Sequence, residues 1–242
     1  MPKSIEMFLR IETSYPGWGN GLEWLSLEAY LDFLTKQLHE AERLFRDKAE
    51  QEYKKECDDI IRISREQGLD PREDLAVLRY EYDSQKKIEE RHISDKAWCS
   101  FLPIVWSVFE KQYLEFLCWA HDKNNPGKEF NKHKYRNKGN LTEQLQFLYA
   151  DIGIGILQAN WEYLRGVYLL RNAIVHGNGS ICELNKEQDR TDLLSFVDSH
   201  SNLHRDGKII ALGSEFAKES FSVCRSTIKK LDSSLISHYY GE

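Results

Sequence analysis

The chain has 242 residues, 41% of them apolar, with 11 Phe, 12 Tyr and 6 Trp, which suits one large core or a core with an appendage. Five cysteines (57, 99, 118, 182 and 224) with no C-x-x-C pair indicate neither a zinc site nor a disulfide framework, and read as reduced, mostly buried thiols. No run of 18 apolar residues is present to span a membrane, and the formal charge of −6 is uneven: residues 1–122 carry 25 acids against 17 bases, residues 123–242 carry 14 against 16, so a polyanion should meet the second half.

Residues 1–21 read as an irregular lead with turn signals at Pro16, Gly17 and Gly19, and without the uninterrupted apolar stretch of a signal peptide. The expectation is a cytoplasmic protein. A long helix is predicted from about Leu22 to Gln67, because Leu34, Leu38, Ala41, Phe45, Ala49, Tyr53, Cys57 and Ile60 recur at spacings of three and four. Gly68 stops it, and Asp70-Pro71-Arg72-Glu73 supplies an N-cap, a proline at the first helical position and an acid at the third. Residues 22–93 are therefore expected to form a helical hairpin, charged enough to protrude as an arm, either simply solvated or binding a partner.

Residues 94–242 are expected to form the core bundle. The second helix can run through Ser94-Asp95 into Trp98–Glu110, a segment apolar nearly all round, as a buried helix is, and continue to Trp119, with Pro103 starting or kinking a helix there. The segment 123–138 then changes character, with six bases against one acid among Phe130, His133 and Tyr135. Basic side chains interleaved with aromatics suit a single-stranded nucleic acid, which makes Lys132, Lys134 and Arg136 candidate RNA contacts; a plain solvated loop is the other reading. Helices follow at about 142–148 and 158–176, then short extended pieces with a hairpin or strand at Lys208–Leu212, and a last helix capped by Ser214 and running to about residue 236. The fold class is all-α, a helical bundle with a long αα-hairpin and a short extended segment before the C-terminal helix.

The chemistry-bearing stretch is Leu169-Leu170-Arg171-Asn172-Ala173-Ile174-Val175-His176-Gly177. Gly177 suits a left-handed helix stop. Asn172 and His176 lie four residues apart and share a face with Tyr168, whereas Arg171 is about 140° away from His176 on an ideal helix. An always-charged anion binder close to a group that titrates near neutral pH points to chemistry on a phosphate. A histidine placed only to interact with the helix's carbonyl end is the competing reading.

Over residues 94–240, an aromatic helix, a polar interval, a Trp161-bearing helix ending in R-N-x-x-x-H-G and a closing amphipathic helix together resemble the HEPN superfamily. The resemblance implies a helical bundle that pairs as a homodimer, with both Arg–His helices lining one cleft. Trp161, Leu164 and Gly166 are the residues expected to serve that pairing. It further implies a metal-independent endoribonuclease, without cofactor, of a toxin–antitoxin or anti-phage system. Its partners would be RNA and an antitoxin or other defence protein. Arg171, Asn172 and His176 would be catalytic. Tyr168, which shares the face of Asn172 and His176, is a candidate RNA contact, with packing the other reading. Other members bind RNA or nucleotides without cutting, so a non-catalytic interaction module is the alternative. The hairpin exceeds the minimal module, and the acidic total departs from what a general RNA binder carries.

Overall fold

The computed structural model describes residues 15–17, 20–128 and 158–241. In order, these form helices α1 (Asn20–Gln67), α2 (Arg72–Asn124) and α3 (Gln158–Gly177), a 3₁₀ turn (Ile181–Glu183), helix α4 (Glu187–Asp198), strands β1 (Leu203–Asp206) and β2 (Ile209–Leu212), and helix α5 (Ser214–Tyr240). The protein is all-α; the sheet among the described residues is a single two-stranded ribbon. The helix expected at 142–148 lies outside the described residues. Contacts divide the chain into two units, Met1–Ala29 with Cys99–Glu242, and Tyr30–Trp98.

The second unit is the hairpin of α1 and α2. Its turn uses Gly68 at φ 68°, which a Cβ would strain, and the Leu69 amide closes back on the Ser64 carbonyl at 2.8 Å. Asp70 Oδ1 then accepts from the Arg72 amide at 3.1 Å and satisfies one of the donors left open at the start of α2. Ion pairs such as Lys54–Glu50 and Arg62–Glu66 join turns along the exposed surface of α1.

In the first unit α2 supplies the core. Phe101, Leu102, Val105, Phe109, Tyr113, Phe116 and Leu117 are fully buried, and Trp106 is buried with its ring 5.1 Å from that of Phe109. Each of the buried Phe, Leu and Val side chains contributes about 1.5–3 kcal/mol through removal of apolar surface from water. Helix α2 does not start at Pro103: it continues unbroken from Arg72, and the Ser107 hydroxyl bonds the Pro103 carbonyl at 2.7 Å. The lost proline amide removes one link of a ladder that neighbouring turns and tertiary burial still hold.

Helix α5 buries Phe216, Phe221, Cys224, Ile228, Leu231 and Leu235, the row expected from its period. Its N-cap is Gly213, without a side-chain cap bond, so Ser214 is the first helical residue and not the cap. The stretch expected to be extended after Gly179 holds α4 as well, whose Leu193 and Val197 are buried four residues apart. The β1–β2 hairpin pairs Asp206 with Ile209 across a two-residue turn, with Gly207 at φ 58° in the position that tight hairpins reserve for glycine. Of the five thiols only Cys224 is buried; Cys182 is exposed and the other three are half-buried.

Candidate functional site

Helix α3 carries the site, and its buried row decides what remains for chemistry. Leu164, Val167, Leu170 and Ala173 are fully buried at spacings of three, which commits one face of α3 to the core. Trp161 is buried as well. A Cβ at Gly166 would lie 2.1 Å from the ring of Phe196 on α4, so the glycine exists for the approach of that helix. The three residues expected to serve dimer contacts are thus used inside the chain. Arg165 ties the same two helices together through Asp192 and Asp189. Burial by itself raises the Asp192 carboxyl, but bonds from Arg165 and Gln188 outweigh it and hold the group below its ordinary value.

The end of α3 is fixed by backbone bonds. The Asn178 amide reaches the Ile174 carbonyl at 3.1 Å and the Gly179 amide reaches that of Ala173 at 3.0 Å. The left-handed residues are Asn178 (φ 51°) and Gly179 (φ 87°), one and two positions beyond the expected Gly177. Gly177 serves a close approach instead, since a Cβ there would lie 2.4 Å from Glu183 Cγ. Ile210 donates to the Gly179 carbonyl and Ile181 to that of Lys208, both at 3.0 Å. The β1–β2 hairpin is therefore stitched to the loop that follows the motif, and it brings the exposed Lys208 there. By local pattern Lys208 is only the start of a strand, and the bridge from Ser180 to Ile209 has no local signal.

Off the buried row, Arg171, Asn172 and Tyr168 are half-buried and His176 is exposed in the last turn. Arg171 Nη1 donates to Asn172 Oδ1 at 2.9 Å. The Asn172 acceptor is thereby turned toward the guanidinium, and no hydrogen bond joins it to His176 among the described residues. Arg171 Nε is buried and finds no partner among the described residues. Tyr168 packs its ring 5.6 Å from that of Trp106. Val175, beside His176, stays 47% exposed. Lys132, Lys134 and Arg136 lie outside the described residues.

This arrangement presents a charged fork, held in orientation by a neighbouring amide, and an exposed imidazole near a helix terminus. Such a pair can hold a phosphate oxygen and exchange a proton with it or with an adjacent hydroxyl. Among the described residues, no group of three or more His, Cys, Asp or Glu side chains is gathered as a metal site, and no helix is long and apolar enough to cross a membrane. No protein-family model matches the chain, and no curated protein or solved structure is significantly similar to it.

Proposed function

We propose that the chain is a HEPN-type, metal-independent endoribonuclease that acts in the cytoplasm as a homodimer, in a defence or stress system with a cognate inhibitor. The observation that carries this reading is the company His176 and Arg171 keep. A histidine or arginine placed for structure alone would bond local carbonyls or carboxylates. Among the described residues His176 bonds neither, and Arg171 bonds only the amide of Asn172.

In this mechanism neutral His176 takes the proton of a ribose 2′-hydroxyl. The 2′-oxygen attacks the adjacent phosphorus, the bond to the 5′-oxygen breaks, and that oxygen leaves with a proton from the second protomer's imidazolium or from water. The products are a 2′,3′-cyclic phosphate and a 5′-hydroxyl. The Arg171 fork neutralises the non-bridging oxygens as charge builds on them, and Asn172 keeps the fork aimed. A second copy of α3 across a two-fold axis supplies the group that a single helix places about 140° away. The exposed Val175 is left to line that junction.

The test is cleavage of single-stranded RNA by the full chain in excess chelator, with the 3′ ends of the products analysed. His176→Ala is expected to lower turnover at least about a hundredfold, the lower end of what a general base supplies, with an unchanged circular dichroism spectrum. Arg171→Lys should keep charge, lose forked geometry and stay impaired. A wild type that never cuts RNA, together with a His176→Ala variant that fails to fold, would overturn the reading and leave the histidine as a structural cap.

A further inference from the structure

Tyr15 precedes the first described helix and yet is only 3% exposed. Its ring lies 6.0 Å from that of Phe116 and edge-on to Trp119 at 4.9 Å, both on α2. Its hydroxyl donates to Asp232 Oδ1 on α5 at 2.5 Å, with the backbone carbonyl of the same residue 3.2 Å away. Gly17 closes over this bond: a Cβ there would run into the Tyr15 ring and lie 2.5 Å from Asp232 Oδ1, so only a glycine lets the turn pass. The indole Nε1 of Trp119 is buried and finds no partner among the described residues. The Tyr15 ring is part of what keeps water from it. An irregular segment thus fills a slot beside two core helices with one aromatic ring and is held by one short bond to a carboxyl group.

We infer that Tyr15 and Gly17 form a latch that pins the chain at residues 15–17 to α2 and α5, shut while Asp232 is protonated and loosened when it ionises. The reason is what closure does to the carboxyl. Shut, the latch takes Asp232 out of water and offers it the Tyr15 hydroxyl in exchange. Burial raises its titration more than the Tyr15 bond lowers it. Open, the carboxyl regains water and returns toward about 3.9. Ionisation therefore favours the open form, and opening increases as pH rises from about 4 through the folded value, then levels off. Three other titratable groups lie close. Tyr240 of α5 faces the Tyr15 hydroxyl, Lys123 of α2 stands 5.7 Å from the Trp119 ring, and His238 of α5 packs on Tyr239, which in turn meets Trp119. Tyrosine and lysine side chains keep their charge between about pH 4 and 8, which leaves His238 as the group to separate from Asp232.

The test follows exchange of the Trp119 indole N–H with solvent by NMR on the full chain from about pH 4 to 8, each rate divided by that of free N-acetyltryptophanamide at the same pH. The Trp24 indole, which donates to Gln112 Oε1 at 2.6 Å in the core, reports global opening. The corrected Trp119 rate is expected to rise at least about threefold between about pH 4 and 7, to exceed that of Trp24 at least about tenfold, and to ignore low urea. Asp232→Asn has nothing to ionise there and flattens the Trp119 profile at its low-pH level. Tyr15→Phe fills the slot without the bond and raises the rate about tenfold at about pH 7. Gly17→Ala forces the turn away and raises it about tenfold already at about pH 4, where the wild type is shut. The inference is overturned by a flat wild-type profile, by a Tyr15→Phe rate equal to that of the wild type, or by a pH dependence that survives in Asp232→Asn and so belongs to His238. A Trp119 rate that climbs with urea in step with that of Trp24 overturns it as well, because the whole unit then opens and not the latch.

Discussion

Helix α2 passes through two environments without a break. Along Arg72–Lys86 only one stripe is covered: Leu75, Leu78 and Tyr82 are half-buried, while Val77 and Tyr80 are 54% and 75% exposed. Along Phe101–Leu117 most of the circumference is covered, and the aromatic residues there reach zero exposure or close to it. The backbone hydrogen bonds are the same in kind over both stretches. Helicity is decided locally, by spacing and capping, whereas the energetic weight of each residue is decided by how many partners the tertiary structure gives it.

Removing one large side chain from each stretch tests this difference directly. Trp106→Ala is expected to cost about 3–5 kcal/mol in urea denaturation, because it deletes a buried indole that contacts Phe109 and Tyr168. Leu78→Ala is expected to cost about 1–2 kcal/mol, roughly half the burial of a core leucine. Equal losses would mean that the hairpin is as tightly covered as the core and that the contrast is false.

Two glycines sharpen the contrast between space and backbone. Gly68 sits at φ 68° with nothing within 4 Å of a built Cβ, so the hairpin turn needs its conformation and not its smallness. Gly166 has ordinary helical backbone, but a Cβ there would lie 2.1 Å from the Phe196 ring, so the core needs its smallness alone. Gly166→Ala is expected to cost about 1–3 kcal/mol, and Phe196→Ala in the same chain should recover part of it. Gly68→Ala is expected to cost about 1 kcal/mol and Gly68→Asn less, since Asn tolerates the left-handed region. A Gly166→Ala penalty that Phe196→Ala leaves untouched would show that the close approach is not the cause.

The same division explains what could be read from the sequence. The all-α class, the long first helix, the Asp70 start and the α5 period were legible, because each depends on residues within a few positions of one another. The left-handed stop at Asn178, the missing side-chain cap before Ser214 and helix α4 were not. Helix α4 begins after Lys186, which makes no cap bond, and its apolar residues Leu193, Leu194, Phe196 and Val197 sit among polar ones; only the acids Glu187 and Asp189 in the first turn hinted at it. At the candidate site, the placement of Arg171, Asn172 and His176 on one helix end followed from the motif. That Asn172 turns to Arg171 is a rotamer choice that spacing leaves open, and that Trp161, Leu164 and Gly166 are used up in the chain's own packing depends on tertiary neighbours that spacing does not encode.

The smallest expected effects come from three carboxylates, and their signs separate core from hairpin. Asp232 is driven up by burial, more than the bond from Tyr15 lowers it. A carboxyl whose folded value exceeds its unfolded one of about 3.9 favours the fold while protonated, and that contribution is lost as pH rises through the folded value. Asp232→Asn keeps an acceptor for the Tyr15 hydroxyl without the charge, so it is expected to raise Tm at about pH 7 and to match the wild type below about pH 4. Asp192 runs the other way: its folded value is depressed, so its stabilisation is present above the unfolded value and disappears as pH falls through the folded one. Asp192→Asn should therefore lower Tm at about pH 7 and converge with the wild type toward about pH 2. On the hairpin, Glu50 is also held low by the bond from Lys54, but both side chains stand in water. Solvent and salt screen that pair, so Glu50→Gln should leave Tm within measurement error across the same range. Thermal scans of the three variants against pH test all of this at once. A drop in Tm at neutral pH for Asp232→Asn, or a clear pH-dependent shift for Glu50→Gln, would show that burial does not set the electrostatic weight of these groups.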